Sequence, residues 1–246
     1  MKAYKDVLNM LNALKLKGIQ LHVDELISEA EIQNTSFLGF LTQLLLCEMN
    51  DRAERRYKRN ITAAHFPVMK TLEDFEYGRV KGITKSQAAQ LQDFSWIDKH
   101  ENLLFFGPPG VGKTHLAIAL GYEAIGKGYT VCFERITNLI KLLKTAEVQR
   151  TSGFRINRIL RSQVLIIDEI GYTPIEKREA NLFFNLISEM YEQQSVIITS
   201  NKSFSVWAEM MGDEVMTTAL LDRLLHHSRV FNLDGQSYRI QTKKEV

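Results

Sequence analysis

Cysteine and proline are scarce, with two and four in 246 residues. A chain that is 45% hydrophobic and 24% charged can bury one substantial core and a small second unit, so disulfide-framework, collagen-like and largely disordered architectures are excluded. Net charge is nearly absent. With 31 Lys and Arg against 29 Asp and Glu the balance is +2, so contact with nucleic acid requires local clustering of charge. Long apolar runs are missing too. The longest uncharged stretch, Ile32 to Cys47, carries Gln33, Asn34, Thr42 and Gln43, and the start MKAYKDVLNM interleaves charge with apolar residues, so neither a membrane span nor a signal peptide is expected. Cys47 and Cys132 match no metal-ligand spacing and lie in apolar runs, which suits reduced thiols and a cytoplasmic location. Six histidines also lack metal spacing. The adjacent His226 and His227 are expected on different sides of a helix, with no catalytic role.

Helical periodicity dominates the first 66 residues. Val7, Leu8, Leu11 and Leu14 share one face, Gly18 is a plausible stop, and Val23, Leu26 and Ile27 open a second segment. Ser36 can cap a third helix, whose apolar stripe Phe37, Phe40, Leu41, Leu44, Leu45 and Glu48 continues in register as Arg52, Arg55, Arg56 and Arg59. Pro67 ends this unit, so the expected division is a helical domain over 1–66 and a second domain over 67–246. A linker and a short helix around Lys85 to Phe94 come next, and then the period changes. Short apolar runs at 103–106, 129–133, 164–167 and 195–199 alternate with helical patterns, the signature of a parallel sheet covered on both faces. Arg229–Leu233 and Ser237–Ile240 flank Asp234-Gly235, which predicts a hairpin turn.

Directly after the first run comes Gly107-Pro108-Pro109-Gly110-Val111-Gly112-Lys113-Thr114, then His115 and an apolar helical pattern. This is a Walker A loop in strand–loop–helix context. Its glycines let backbone N–H groups converge on phosphate oxygens, Lys113 reaches β and γ phosphates, and the Thr114 hydroxyl suits Mg²⁺. The run ending in Asp168-Glu169 supplies the Walker B pair: Asp168 for the Mg²⁺ shell, Glu169 as general base toward water. Asn201, at the tip of the next strand, is either a turn former or an amide able to reach the γ-phosphate or the water. Arg223, on an otherwise apolar helix, suits charge neutralisation at a transferring phosphoryl group, or else a simple ion pair. Between Thr137 and Gln163, Lys141, Lys144, Arg150, Arg155, Arg158 and Arg161 face Glu147 alone. That is a candidate DNA surface, as is the 52–59 stripe, with a solvated helix face as the bland alternative.

The strings GPPGVGKTHL at 107–116, VLIIDEIGY at 164–172, ITSNKSFSVWAEMMGDE at 198–214, ALLDRLLHHS at 219–228 and DGQSYRI at 234–240 resemble the IstB-type AAA+ ATPases, helpers of insertion-sequence transposition. These are close to helicase loaders of the DnaC type. The resemblance spans essentially the whole chain, including FLGFLTQLLLCEMNDRAERRYKR and the TLEDFEY lead-in at 71–77. It implies an AAA+ core with five parallel strands, ATP and Mg²⁺ as ligands, Asn201 as a sensor, and Arg223 as a finger acting on the adjacent subunit's ATP; the chain departs from ordinary AAA+ proteins in that the sequence ends soon after the expected hairpin, so no separate lid domain is expected. It further implies a multi-subunit ring or spiral gripping duplex DNA and serving a cognate transposase. The expected function is thus an ATP-hydrolysing helper that assembles on target DNA, deforms it and recruits or stimulates the transposase; a DnaC-like helicase loader is the alternative.

Overall fold

A computed structural model describes residues 2–238, in two compact units, one up to Arg59 and one from Asn60 onward. The first is helical: α1 (Lys2–Ala13), α2 (Lys17–Ile32) and α3 (Phe37–Ala64), whose last turn belongs to the second unit. Ser36 caps α3 as expected, its Oγ accepting the Gly39 N–H at 3.2 Å. Gly18 is not a stop. It lies in the first turn of α2, where an added Cβ would come within 2.7 Å of Asp51 Cβ and 2.9 Å of Glu48 Cα, so its small size permits close helix packing. The turn is made instead by Lys15 in the left-handed region, φ 58°. Glu48 is 4% exposed and caps α2 from α3, accepting the Gly18 and Ile19 N–H groups at 2.7 and 3.2 Å. Burial works against its charge, but hydrogen bonds from Arg52 and these two amides hold the carboxyl below its ordinary value.

The second unit opens with β1 (Val80–Lys81), α4 (Lys85–Gln90) and α5 (Ser95–Asp98). The expected short helix is present, with Thr84 and Gln87 forming a capping box. Then follow β2 (Asn102–Phe106), α6 (Lys113–Gly126), β3 (Val131–Arg135), α7 (Ile136–Thr145), α8 (Arg150–Ile159), β4 (Val164–Ile170), α9 (Lys177–Met190), β5 (Ser195–Ser200), α10 (Phe204–Met211), α11 (Glu214–His226), β6 (Ser228–Asn232) and β7 (Asp234–Gly235). The main sheet has order β3-β4-β5-β2-β6, every pairing parallel. Strand residues alternate between two cores. Leu103 and Phe105 join Leu116, Ile118 and Phe75 on one face, while Leu104 and Phe106 join Ile140, Phe183 and Leu220 on the other.

The hairpin expected at Asp234-Gly235 does not form among the described residues; Arg239 and Ile240 lie outside them. β6 instead pairs in parallel with β2, giving that strand a second neighbour opposite β5, and β7 pairs antiparallel with β1. No helix among the described residues is long and apolar enough to cross a membrane.

Candidate active site

β5 lies between β2, which carries the glycine loop, and β4, which carries the acid pair, so three strand tips converge on one cleft of about 550 Å³. Gly107, Gly110 and Gly112 all have positive φ, at 143°, 85° and 93°, which only glycine adopts freely. Their lack of side chains also admits neighbours: a Cβ on Gly112 would lie 2.5 Å from Phe75, and one on Gly107 2.0 Å from the Leu233 carbonyl. Pro108, Pro109 and Val111 complete the loop, Val111 being fully buried. Lys113 is 7% exposed, and its Nζ donates to the carbonyls of Gly107 and Pro108 at 2.7 and 2.8 Å.

Asp168, 1% exposed, gathers two hydroxyls on one oxygen: Thr114 Oγ1 donates to Oδ1 at 2.7 Å and Thr199 Oγ1 at 2.6 Å. The next residue breaks the ladder. Between Ile167, opposite Ile198, and Ile170, opposite Ser200, β4 holds one residue more than β5, and within this bulge Glu169 adopts φ 66°. A non-glycine residue pays for that conformation, and bulges of this kind re-aim a side chain beside a site. The Glu169 N–H donates to Thr199 Oγ1 at 3.0 Å, and its Oε2 lies 3.5 Å from Arg135 Nε at the tip of β3. Asn201 lines the same cleft, and its Oδ1 is buried with no hydrogen-bond partner among the described residues. Lys113, Thr114, Asp168, Glu169 and Asn201 are therefore brought together.

His115 also lines the cleft, tied to the lead-in: its Nε2–H donates to the Thr71 carbonyl at 2.7 Å, and its ring meets Phe75 edge-on. Burial pushes the imidazole below its ordinary value, so it stays neutral at pH 7. Arg223 is elsewhere. Its guanidinium lies over the Phe184 ring, 4.6 Å from the centroid, near Tyr191 and Glu192 rather than in the cleft. The neighbouring His226 and His227 converge, with rings 4.1 Å apart and both facing Glu192, instead of diverging. The helix ends at His226, and His227 has left the helical conformation at φ −125°, ψ 83°, so the helical angular step between them no longer applies.

The expected DNA-contact residues divide sharply. Arg155 is contradicted: it is 8% exposed, its Nε donates to Glu134 at 2.6 Å, and its remaining donors reach the Ala63, Ala64 and Phe133 carbonyls. It fastens the end of α3 and the α8 helix to β3, and a phosphate has no access to it. Arg158 and Arg161 are exposed and border a cavity of about 400 Å³ with Asn60, Phe154 and Asn157. Lys141 is exposed, Lys144 pairs with Glu179 at 2.7 Å, and Arg150 lies over Phe154. In the first unit Arg52 and Arg55 are paired with Glu48 and Asp51, while Arg56 and Arg59 are exposed. Sequence reasoning missed Arg135, Thr199, Phe75 and Tyr238 as residues of the cleft. Of these only Thr199, in the run just before Ser200-Asn201, carried a local signal.

A parallel sheet in this order, with a glycine loop after β2 and an acid pair closing β4, defines an AAA+ P-loop core. The same fold is found in DnaI (18% identity, TM-score 0.56, covering 67% of this chain and 91% of that one) and in the DnaC helicase loader (23% identity, TM-score 0.50, covering 72% and 99%). Within that class the chain belongs to the IstB-like ATP binding protein family, whose sequence profile matches residues 9–246. Among its relatives is the protein named for ATP binding in insertion sequence IS21 of Pseudomonas aeruginosa, 40% identical over 237 residues that make up 96% of this chain and 89% of the relative.

Proposed function

We propose that this protein is an ATP-hydrolysing, DNA-binding helper of insertion-sequence transposition. In this reading it assembles on duplex target DNA, deforms it, and recruits or stimulates a cognate transposase. The observation that carries the ATPase part is the convergence of Lys113, Thr114, Asp168, Glu169 and Asn201 on one cleft. The insertion-sequence part is supported by the relatives' names.

The cleft fits a triphosphate with Mg²⁺. Glycines at positive φ shape the loop, Asp168 and Thr114 offer hard oxygen ligands, and the orphaned Asn201 Oδ1 awaits a donor. When bound, Mg²⁺ would neutralise charge on the phosphate oxygens. Lys113 would exchange its loop carbonyls for β and γ phosphate oxygens. Glu169 would accept a proton from water as the water oxygen bonds to the γ phosphorus and the bond to the ADP oxygen breaks, with Asn201 orienting that water through Oδ1. Arg135 must first release the Glu169 carboxylate for this. Arg223 lies outside the cleft of its own chain, which suits a finger entering a neighbour's site in a ring or spiral. The DNA surface would then comprise Arg158, Arg161, Lys141 and Arg150, with Arg56 and Arg59 in the helical domain as further candidates.

The test uses the full-length protein with ATP and Mg²⁺. It should bind duplex DNA as a large assembly, hydrolyse ATP, and stimulate strand transfer by its cognate transposase. The likeness in fold to the DnaC helicase loader favours a second reading, loading of a replicative helicase. Preference for single-stranded DNA, with helicase loading and no effect on strand transfer, would overturn the first reading in favour of the second.

A further inference from the structure

Away from the nucleotide cleft, Glu192, His226 and His227 form a cluster of their own. Glu192 stands in the turn between α9 and β5, in the left-handed region at φ 56°, while His226 ends α11 and His227 leads into β6. Neither segment alone carries a metal-ligand spacing. The fold sets the carboxylate in front of both rings: Glu192 Oε1 lies 3.7 Å from His226 Nδ1 and 3.6 Å from His227 Nε2. One ligand atom from each of the three residues lies within 4.8 Å of the other two. The Tyr191 hydroxyl lies 2.6 Å from His226 Nδ1. Beneath the cluster the backbone is fixed. Asn102, 8% exposed at the start of β2, donates its N–H to the His227 carbonyl at 2.7 Å and its Nδ2–H to the Leu224 carbonyl at 3.0 Å, while its Oδ1 accepts the Val196 N–H at 2.8 Å. One buried amide thus ties the end of α11 to the strand that follows the Glu192 turn. The three side chains above it are half exposed, so a cation reaches them from solvent.

A tetrahedral Zn²⁺ with bonds of about 2.0–2.1 Å sets its ligand atoms about 3.3–3.4 Å apart. Both separations from the Glu192 oxygen exceed that by only a few tenths of an ångström. Two imidazole nitrogens and one carboxylate oxygen also suit Zn²⁺ better than Mg²⁺ or Ca²⁺, which take shells of oxygen. We propose that Glu192, His226 and His227 form a site for a zinc-type divalent cation, with a fourth position open to solvent. The cation replaces the Tyr191 hydrogen bond at His226 Nδ1 and clamps the end of α11 to the α9–β5 turn. Arg223, one turn before His226, borders the same recess with its guanidinium over the Phe184 ring, so occupancy also stiffens the helix that carries it. The assignment is independent of the nucleotide reading, since it shares no residue with the cleft.

The test titrates chelator-treated, full-length protein with Zn²⁺ in the presence of excess Mg²⁺, which fills oxygen ligands such as those of the cleft without competing for imidazole. The parent should take up Zn²⁺ at this site and unfold at a higher temperature with it than without. His226→Gln combined with His227→Gln should weaken that uptake by more than about 100-fold, beyond what losing an outer-shell partner costs, and should remove the thermal shift. Glu192→Gln, which alters the other segment, should weaken it by at least about 10-fold. Circular dichroism of the metal-free variants should match the parent, since all three side chains are half exposed. A parent that takes up no Zn²⁺ would overturn the proposal. Uptake that persists undiminished in the double-histidine variant would overturn it as well, by placing the metal elsewhere.

Discussion

Up to Arg59 the buried side chains are Ile19, Val23 and Glu48, while Phe37, Leu38 and Met49 stand 97%, 74% and 65% exposed. From Asn60 onward Leu103, Leu104, Leu165, Ile166 and Ile167 are wholly buried, and Lys113, Thr114, Asp168 and the Glu169 backbone are each held by hydrogen bonds. The cost of ordering the site is therefore met by packing before any ligand arrives, whereas the helical unit keeps its apolar stripe on the surface. A site can be assigned residue by residue in the first situation; in the second only a surface can be assigned.

The largest effects should arise where the second unit is most determined. Lys113→Ala is expected to abolish ATP binding, and Glu169→Gln to retain binding while slowing phosphate release ~10²- to 10⁴-fold. Nucleotide titration beside phosphate-release rates checks this, and loss of binding in both variants would break the assignment. Within α8, Arg155 and Arg158 sharpen the contrast one turn apart. Arg155→Met leaves the buried Glu134 carboxylate without its cation, only Asn138 still donating to it, and should lower stability by about 3–5 kcal/mol in denaturant unfolding. Arg158→Ala should leave stability within about 0.5 kcal/mol and instead weaken DNA binding, reducing its salt slope by about 1. A drop in stability for Arg158→Ala without any change in DNA affinity would make Arg158 a structural residue as well.

Glu48 is the one charged residue of the helical unit held in the manner of the core. Its folded pKa lies below the ordinary 4.5, so the stability it contributes is full above that pH and is lost as pH falls through the depressed value. Glu48→Gln should cost about 1–3 kcal/mol at pH 7 and flatten the acid dependence of helix unfolding followed by circular dichroism. An unaltered acid limb would show that the cap contributes nothing. The smallest effect is expected at Arg135, whose pair with Glu169 is long and half exposed. Arg135→Ala should raise basal hydrolysis by no more than about fivefold, as a surface ion pair of up to ~1 kcal/mol allows. A fall in the rate would mean that Arg135 supports the reaction directly.

The parallel sheet and the Walker residues were legible because each is a local pattern: apolar runs of strand length, a glycine loop before a helix, an acid pair after a buried strand. Periodicity reported spacing but not phase, which is why Arg155 and Arg158 looked alike until α8 was seen against β3. The bulge at Glu169 was invisible for a related reason, since it depends on register against β5 rather than on any property of VLIIDEI itself. Phe75 over Gly112 and Tyr238 on Gly110 join segments far apart in the chain, and nothing in either segment alone names its partner.

The position of β2 in the sheet also has a consequence in time. Its two neighbours are β5 and β6, so a nascent chain that has emerged through Gln163 carries the whole phosphate-loop sequence but neither flanking strand. Leu233, which packs on Gly107, and Tyr238, whose N–H donates to the Gly110 carbonyl, are made later still. Synthesis is vectorial while parallel pairing waits for distant sequence, so the loop is finished among the last parts of the fold. A chain halted before Leu233 therefore carries the phosphate-loop sequence without the neighbours that complete the loop.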